Sequence, residues 1–342
     1  MQRCLQLARN GAGLVAPNPM VGAVLVYNDV IIGEGYHQYF GQSHAEVNCI
    51  NNVSVVNKLH IQKSTLYVSL EPCAHFGKTP PCANLIVTNK IPKVVIACTD
   101  TFAQVNGKGI TILKAAGIEV AVGILQKEAI ALNKCFFTFH NKKRPFIILK
   151  WAQSSNNKIA GKDGARINIS NEFTNRLVHK WRAEAAAIMV GKNTALKDNP
   201  ALTTRLYKGN NAVRVVIDMD LQLPNTLQLF DGTINTIVFN ATKKLLSNNL
   251  SFYAVNKDEK IIPQILNILY SLQIQSVIIE GGAKLLQSFI AENLWDEARV
   301  ITNTTMEIEE GIDAPVLNNH TLIDTDFLQS DKIARYINKQ NL

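Results

Sequence analysis

The chain has 342 residues, 47% hydrophobic and 18% charged, with 35 Lys and Arg against 27 Asp and Glu for a formal net charge of +8. That length favours two domains, and the composition is ordinary for a soluble globular protein rather than a disordered or fibrous one. No stretch of about 18 consecutive apolar residues is present to span a membrane, no secretory leader is visible, and the scattered cysteines suit a reducing, cytoplasmic setting better than a disulfide framework.

In chain order, Met1–Asn10 is expected to be a helix with Cys4, Leu5 and Ala8 facing inward. The β-branched runs Val21–Val26 and Val30–Gly33, joined by Tyr27-Asn28-Asp29, predict a hairpin. A helix over His44–Asn52 would carry His44 in its opening turn. The strand Leu66–Leu70 then delivers Glu71-Pro72-Cys73, where the N-terminus of a following helix would favour a thiolate. Pro81-Cys82 starts a helix to about Lys90, Val94–Cys98 is a buried strand, and a helix near Gly109–Ala116 with the strand Ile118–Val122 closes the first domain. Alternating strands and helices predict an α/β sandwich around a mixed sheet.

His140–Pro145, polar, basic and ending in proline, is the expected linker, which gives domains of 1–143 and 144–342. The second domain opens on the strand Phe146–Lys150. A helix follows over Asn171–Arg182, capped by Ser170 or Asn171, and then the strands Ala186–Val190, Val213–Ile217 and Thr236–Phe239. Beyond them come a helix over Ile262–Leu272, the strand Ser276–Glu280, and a turn at Gly281-Gly282 into a helix over Ala283–Glu292. Glycines between a strand and a helix let a phosphate meet free backbone N–H groups. No G-x-G-x-x-G is present, which argues against a Rossmann domain.

The chemistry concentrates between His44 and Cys82. His44, Cys73 and Cys82 offer one imidazole and two thiols, a set that holds zinc with its fourth position open to water. Glu46, two residues from His44, is spaced to move protons beside the metal. H-x-E…P-C-x-x-C is the signature of zinc nucleobase deaminases; here Cys73 and Cys82 are separated by eight residues instead of two. A closed structural zinc site with His75 as a fourth ligand is the competing reading of the same residues. The Lys and Arg residues form no stripe, which argues against nucleic acid and leaves a solvated surface with a general positive bias, or attraction of anionic small molecules.

The pattern His44-Ala45-Glu46…Glu71-Pro72-Cys73-Ala74-His75-Phe76-Gly77-Lys78-Thr79-Pro80-Pro81-Cys82, with Pro17-Asn18-Pro19-Met20-Val21-Gly22 and Gly35-Tyr36-His37, resembles the bifunctional deaminase/reductases of riboflavin biosynthesis. The second half adds Arg182, Gly191-Lys192-Asn193-Thr194 and Asp198-Asn199-Pro200-Ala201-Leu202-Thr203-Thr204-Arg205. The resemblance covers essentially the whole chain. It implies a cytidine-deaminase-like α/β/α sandwich followed by a dihydrofolate-reductase-like α/β domain.

Zinc on His44, Cys73 and Cys82, with Glu46 as proton shuttle, would remove the 2-amino group of 2,5-diamino-6-ribosylamino-4(3H)-pyrimidinone 5′-phosphate. NADPH would then reduce the ribosyl group to ribityl. Asn18, His75, Lys78 and Thr79 would meet the first substrate. In the second half Lys150, Arg166, Arg182, Leu202, Arg205 and Glu280 would meet substrate, with Ala152, Asn168, Thr194, Asp198 and Gly282 beside NADPH. The family usually starts several residues earlier, so the first turn is expected to be missing.

Departures lie in the second half: Asn156-Asn157 replace Asp-Gly, a Trp is lacking near Asn168, Ala186 replaces Asp, and Met219 stands where Ser is common. The alternative readings are a tRNA or nucleobase deaminase with an appended binding domain, and a zinc module without catalysis, which leaves Glu46 without a task. Phosphorylated pyrimidines are the expected partners, with no nucleic acid and no membrane, and a homo-oligomer is left open.

Overall fold

The computed structural model describes residues 1–74, 80–101 and 105–341. Its contacts divide the chain into two compact units, Met1–Lys143 and Arg144–Leu342. Among the described residues no helix is long and apolar enough to cross a membrane.

The first unit runs α1 (Gln2–Arg9), β1 (Gly22–Tyr27), β2 (Val30–Tyr36), α2 (Ala45–Asn51), β3 (Thr65–Val68), α3 (Cys82–Thr88), β4 (Lys93–Ile96), α4 (Lys108–Ala115), β5 (Glu119–Val122), α5 (Gln126–Leu132) and α6 (Lys134–Lys142). Its sheet has the order β2-β1-β3-β4-β5. The β1–β2 and β1–β3 pairs are antiparallel, and β3–β4 and β4–β5 are parallel, so the sheet is mixed. Buried β-branched and aliphatic side chains of β1, β3 and β4, among them Leu25, Leu66 and Val94, pack with Cys49, Ile86 and Leu113 from α2, α3 and α4. Gly35 lets α2 lie directly on β2, since a Cβ there would stand 2.3 Å from the Cys49 nitrogen.

One expectation fails at the end of this unit. His140–Lys142 is not linker but the last turn of α6. The His140 ring packs on Phe136 and Phe139, with centroids 4.4 and 5.4 Å apart, so the stretch continues the helix that buries Phe136, Phe137 and Phe139. Helix α5 likewise lies beyond the elements expected from the sequence.

The second unit runs β6 (Phe146–Gln153), β7 (Lys158–Gly161), α7 (Glu172–Glu184), β8 (Ala187–Gly191), α8 (Lys192–Asp198), β9 (Val213–Ile217), β10 (Thr236–Asn240), β11 (Leu250–Ala254), α9 (Ile261–Ser271), β12 (Ser276–Ile279), α10 (Ala283–Ala291), β13 (Glu297–Asn303), β14 (Gly311–Asp313), β15 (His320–Leu328) and β16 (Asp331–Asn338). The nine-stranded order is β11-β10-β9-β8-β12-β6-β13-β16-β15. Pairing is parallel from β11 to β13 and antiparallel where β16 meets β13 and β15. Strands β7 and β14 form a separate antiparallel pair.

Parallel strands covered on both faces read as continuous apolar runs; Ser276-Val277-Ile278-Ile279 is buried throughout. Asn171 caps α7, its side-chain oxygen accepting the Thr174 N–H at 3.0 Å. The Asn156-Asn157 departure is accommodated in the turn between β6 and β7. Asn157 takes a φ of +61°, a conformation Asn tolerates where glycine is usual. The Asn156 amide donates to the Ile308 carbonyl at 2.9 Å and accepts the Ser154 hydroxyl at 2.6 Å.

Candidate active sites

In the first unit, the start of β1, the end of β3 and the starts of α2 and α3 converge. His44 is the N-cap of α2, in extended backbone, so its ring hangs off the helix start while Glu46 occupies the first turn. Cys82 opens α3, and its backbone N–H points at the Cys73 sulfur 3.3 Å away. The following helix that was expected to hold the Cys73 thiolate is therefore α3, nine residues on. The His44 Nδ1 lies 3.5 Å from Cys73 Sγ and 3.3 Å from Cys82 Sγ.

All three donor atoms fall within 4.8 Å of one another. A tetrahedral zinc with ordinary bonds to one nitrogen and one sulfur sets those two atoms about 3.5 Å apart. The donor set therefore fits zinc in type and spacing, and three protein ligands leave a position for a reactant.

Electrostatics place the negative charge of the donor set on Cys73. Hydrogen bonding from Cys82 and His44 holds the Cys73 thiol below its usual range, against burial, while Cys82 is pushed up by the Cys73 sulfur and by burial. The Cys73 contact in turn raises His44. Glu46 is only 3% exposed, and burial, with the Cys73 charge, pushes its carboxyl up to about 7.

Around these residues lie positioning contacts that motif reading did not assign. Glu71, just before Pro72-Cys73, is buried and accepts backbone N–H groups from Asp100, Gly107, Gly109 and Ile110 at 3.0 to 3.3 Å. It thereby pins the Cys73 segment to the start of α4. A Cβ at Gly109 would come within 2.0 Å of the Pro72 carbonyl oxygen, so only glycine lets the two backbones meet.

His37 Nδ1 donates to the Ser43 carbonyl at 3.0 Å, which makes its Nε2 the acceptor for the Asn18 amide N–H at 3.0 Å. Asn18 thus turns its amide oxygen away from His37. Asn133 clamps the same loop: its side chain accepts the Met20 N–H at 2.8 Å and donates to the Met20 carbonyl at 2.9 Å. His75, Lys78 and Thr79 lie outside the described residues.

In the second unit a cavity of about 720 Å³ opens at the carboxyl ends of the parallel strands, where ligands bind in open α/β sheets. Lys150, Ala152, Arg166, Asn168, Arg182, Thr194, Asp198, Leu202, Arg205, Glu280 and Gly282 all line it. The sheet brings together residues up to 132 positions apart (Lys150 to Gly282) because β8, β12 and β6 are neighbours. Gly282 is the N-cap of α10, and Gly281 before it has a φ of +127°, open only to glycine.

The structure changes the expected role of one arginine. Arg182 Nε and Nη2 donate to both Glu280 oxygens at 2.8 and 2.6 Å, and Nη1 donates to the Thr203 carbonyl at 3.2 Å. Its guanidinium fork is therefore occupied by Glu280 and has only its remaining N–H groups for a ligand. Arg205 is exposed, bonded through Nη1 to Thr203 Oγ1 at 3.4 Å, and presents the freer fork.

Burial alone would raise the Glu280 carboxyl, but the charges of Arg182 and Lys150 and the Arg182 bonds hold it down to about 2. Lys150 lies within β6, not at its end, and burial and Arg182 lower its pKa against the pull of Glu280. Burial raises the Asp198 carboxyl, opposed by Arg166 and Lys197.

Comparison with known proteins follows the same division. Residues 1–98 match the family model described as the cytidine and deoxycytidylate deaminase zinc-binding region, and residues 145–306 match the RibD C-terminal domain. The chain is 40% identical over 306 residues to the riboflavin biosynthesis protein RibD of Bacillus amyloliquefaciens, covering 87% of this chain and 81% of that protein. Identity to the RibD protein of Aquifex aeolicus is 38% over 305 residues, covering 86% and 83%. The crystal structure of a diaminohydroxyphosphoribosylaminopyrimidine deaminase/5-amino-6-(5-phosphoribosylamino)uracil reductase from Thermotoga maritima superposes with a TM-score of 0.90 at 35% identity over 99% of this chain and 97% of that one. RibD from Acinetobacter baumannii superposes with a TM-score of 0.89 at 32% identity, covering 98% and 97%.

Proposed function

The chain belongs to the RibD family of riboflavin biosynthesis, enzymes that join a zinc-dependent deaminase to an NADPH-using reductase, and we propose that each unit carries one of the two reactions on the residues described above. The observation that carries the proposal is the convergence of His44, Cys73 and Cys82 beside a buried Glu46.

In the first unit His44, Cys73 and Cys82 hold zinc, a Lewis acid that lowers the pKa of water to about 7. Glu46 takes the proton of the attacking water as its oxygen adds to C2 of 2,5-diamino-6-ribosylamino-4(3H)-pyrimidinone 5′-phosphate. It then returns a proton to the departing amine, which leaves as ammonia. Asn18, its amide orientation set by His37, offers an oxygen to the pyrimidine's N–H groups. His75, Lys78 and Thr79 in the insert before Cys82 are assigned to the same substrate, the lysine and threonine to its ribose phosphate.

In the second unit NADPH, when bound, supplies the hydride that turns the ribosyl group into ribityl. Gly282 and the N-terminus of α10 receive a cofactor phosphate, with Ala152, Asn168, Thr194 and Asp198 lining the rest of the cofactor's side of the cavity. Arg205, the remaining donors of Arg182, Leu202, Glu280 and Arg166 bind the phosphorylated product of the first reaction. Lys150, half-buried beside Glu280, contacts its ribose oxygen or donates the proton that completes reduction.

Arg205→Ala separates the two units. A charge-assisted contact contributes about 1.5–3 kcal/mol, so kcat/KM for NADPH oxidation should fall roughly 10- to 150-fold, while ammonia release stays at the wild-type rate. Steady-state assays of both products check this; an unchanged NADPH rate, or a parallel loss of ammonia release, would remove Arg205 from the role.

A further inference from the structure

His179 is 4% exposed and lines the second cavity, yet nothing in the motifs draws attention to it. It stands on α7 three residues before Arg182, so the two side chains leave the helix on one face. Its Nδ1 accepts the backbone N–H of Leu206 at 3.4 Å, which ties it to the turn that presents Arg205.

A ring nitrogen that accepts carries no proton, so the proton of the neutral imidazole sits on Nε2. Among the described residues Nε2 has no side-chain partner and is not sealed away from the cavity. Burial, then the charges of Arg182 and Arg205, keep the ring neutral by lowering its pKa to about 4, against Glu280 and a hydrogen bond with the Thr204 backbone.

The cavity end near Arg182 thus gathers an imidazole N–H, the spare N–H groups of Arg182 and the freer fork of Arg205. A neutral imidazole is the donor that fits between two guanidinium groups without adding a third positive charge. Such a trio matches a phosphate monoester, whose several oxygens accept from more than one direction.

We infer that His179 is a third ligand of the substrate's phosphate, donating from Nε2 while its Nδ1 holds the Leu206 turn in place. The inference rests on the assignment of Arg182 and Arg205 to that phosphate.

Two substitutions separate the ring's two nitrogens. In His179→Asn the amide oxygen replaces Nδ1 and the Nε2 donor is lost; in His179→Gln the amide N–H replaces Nε2 and the bond to Leu206 is lost. Titration calorimetry of the full-length protein with ribitol 5-phosphate, and with ribitol as the phosphate-free control, reads the difference. His179→Asn should raise the Kd for ribitol 5-phosphate roughly 10-fold, His179→Gln should stay near wild type, and Arg205→Ala should weaken binding too.

If Arg205→Ala binds like wild type, the phosphate seat itself is misplaced and the inference falls with it. If Arg205→Ala weakens binding and His179→Asn does not, or if both His179 variants weaken it equally, the seat stands and His179 is overturned as a ligand. Nitrogen NMR of the wild-type imidazole needs no variant: Nε2 should move on addition of ribitol 5-phosphate and not of ribitol, and an unmoved signal overturns the claim.

Discussion

Replacing Glu46 with Gln is expected to keep zinc in the first unit and to slow ammonia release by about 10²–10⁴-fold, the usual worth of a positioned general acid–base. The amide matches the carboxylate in shape, so the buried packing around a 3% exposed side chain survives. His44, Cys73 and Cys82 keep their donor atoms. What disappears is the ability to take one proton and return it. Metal analysis and an ammonia assay on the same preparation test this; deamination near the wild-type rate would assign Glu46 another task.

The second large effect concerns stability. The Arg182 and Glu280 side chains are only 13% and 7% exposed and form a two-point ion pair. Glu280→Ala leaves the guanidinium buried without its carboxylate, and breaking a buried pair in this way costs about 3–5 kcal/mol. Trp151, Trp181 and Trp295, the chain's 3 tryptophans, all lie in the second unit, so denaturation followed by tryptophan fluorescence reports on that unit. A midpoint unchanged from wild type would contradict the argument.

The same pair fixes a pH dependence. The folded Glu280 carboxyl titrates near 2, below its ordinary 4.5, so its contribution is fully present above about pH 5 and is lost as pH falls from 4.5 through 2. The difference corresponds to about 3 kcal/mol. Glu280→Ala should flatten the acid limb of the second unit's stability over that interval.

The metal set was legible because chemistry restricts it: few residue types bind zinc, and His44, Glu46, Cys73 and Cys82 stand in short motifs. Most helices and strands of both units were legible for a similar reason, since buried parallel strands carry apolar runs such as Val277–Ile279. Contacts made through backbone atoms left no such trace. Asn133 holds Met20 from 113 residues away, and Glu71 binds N–H groups that any residue would offer.

His140–Lys142 reads as linker because its charge and a nearby proline outweigh Phe136, Phe137 and Phe139, which the same helix buries. The hairpin β15–β16 gave little signal, because β15 is exposed or half-exposed along its whole length and so lacks alternation. Arg182 carried its charge openly in the sequence, but its partner lies 98 residues on, and only the adjacency of α7 and the end of β12 shows that the fork is taken. His179 did have a usable signal, its place three residues before Arg182 on a helix.

The most direct test of the account is to strip metal from the full-length protein with a chelator and follow ammonia and NADPH separately. Ammonia release from the diaminopyrimidine phosphate should stop and return on addition of zinc, because His44, Cys73 and Cys82 serve only the first reaction. NADPH oxidation on the deaminated intermediate should continue unchanged, because the proposed reduction uses the side chains of the second cavity and NADPH, and the candidate metal cluster among the described residues lies in the first unit. Ammonia release that persists without metal, or NADPH oxidation that falls together with it, would contradict the division of chemistry between the two units.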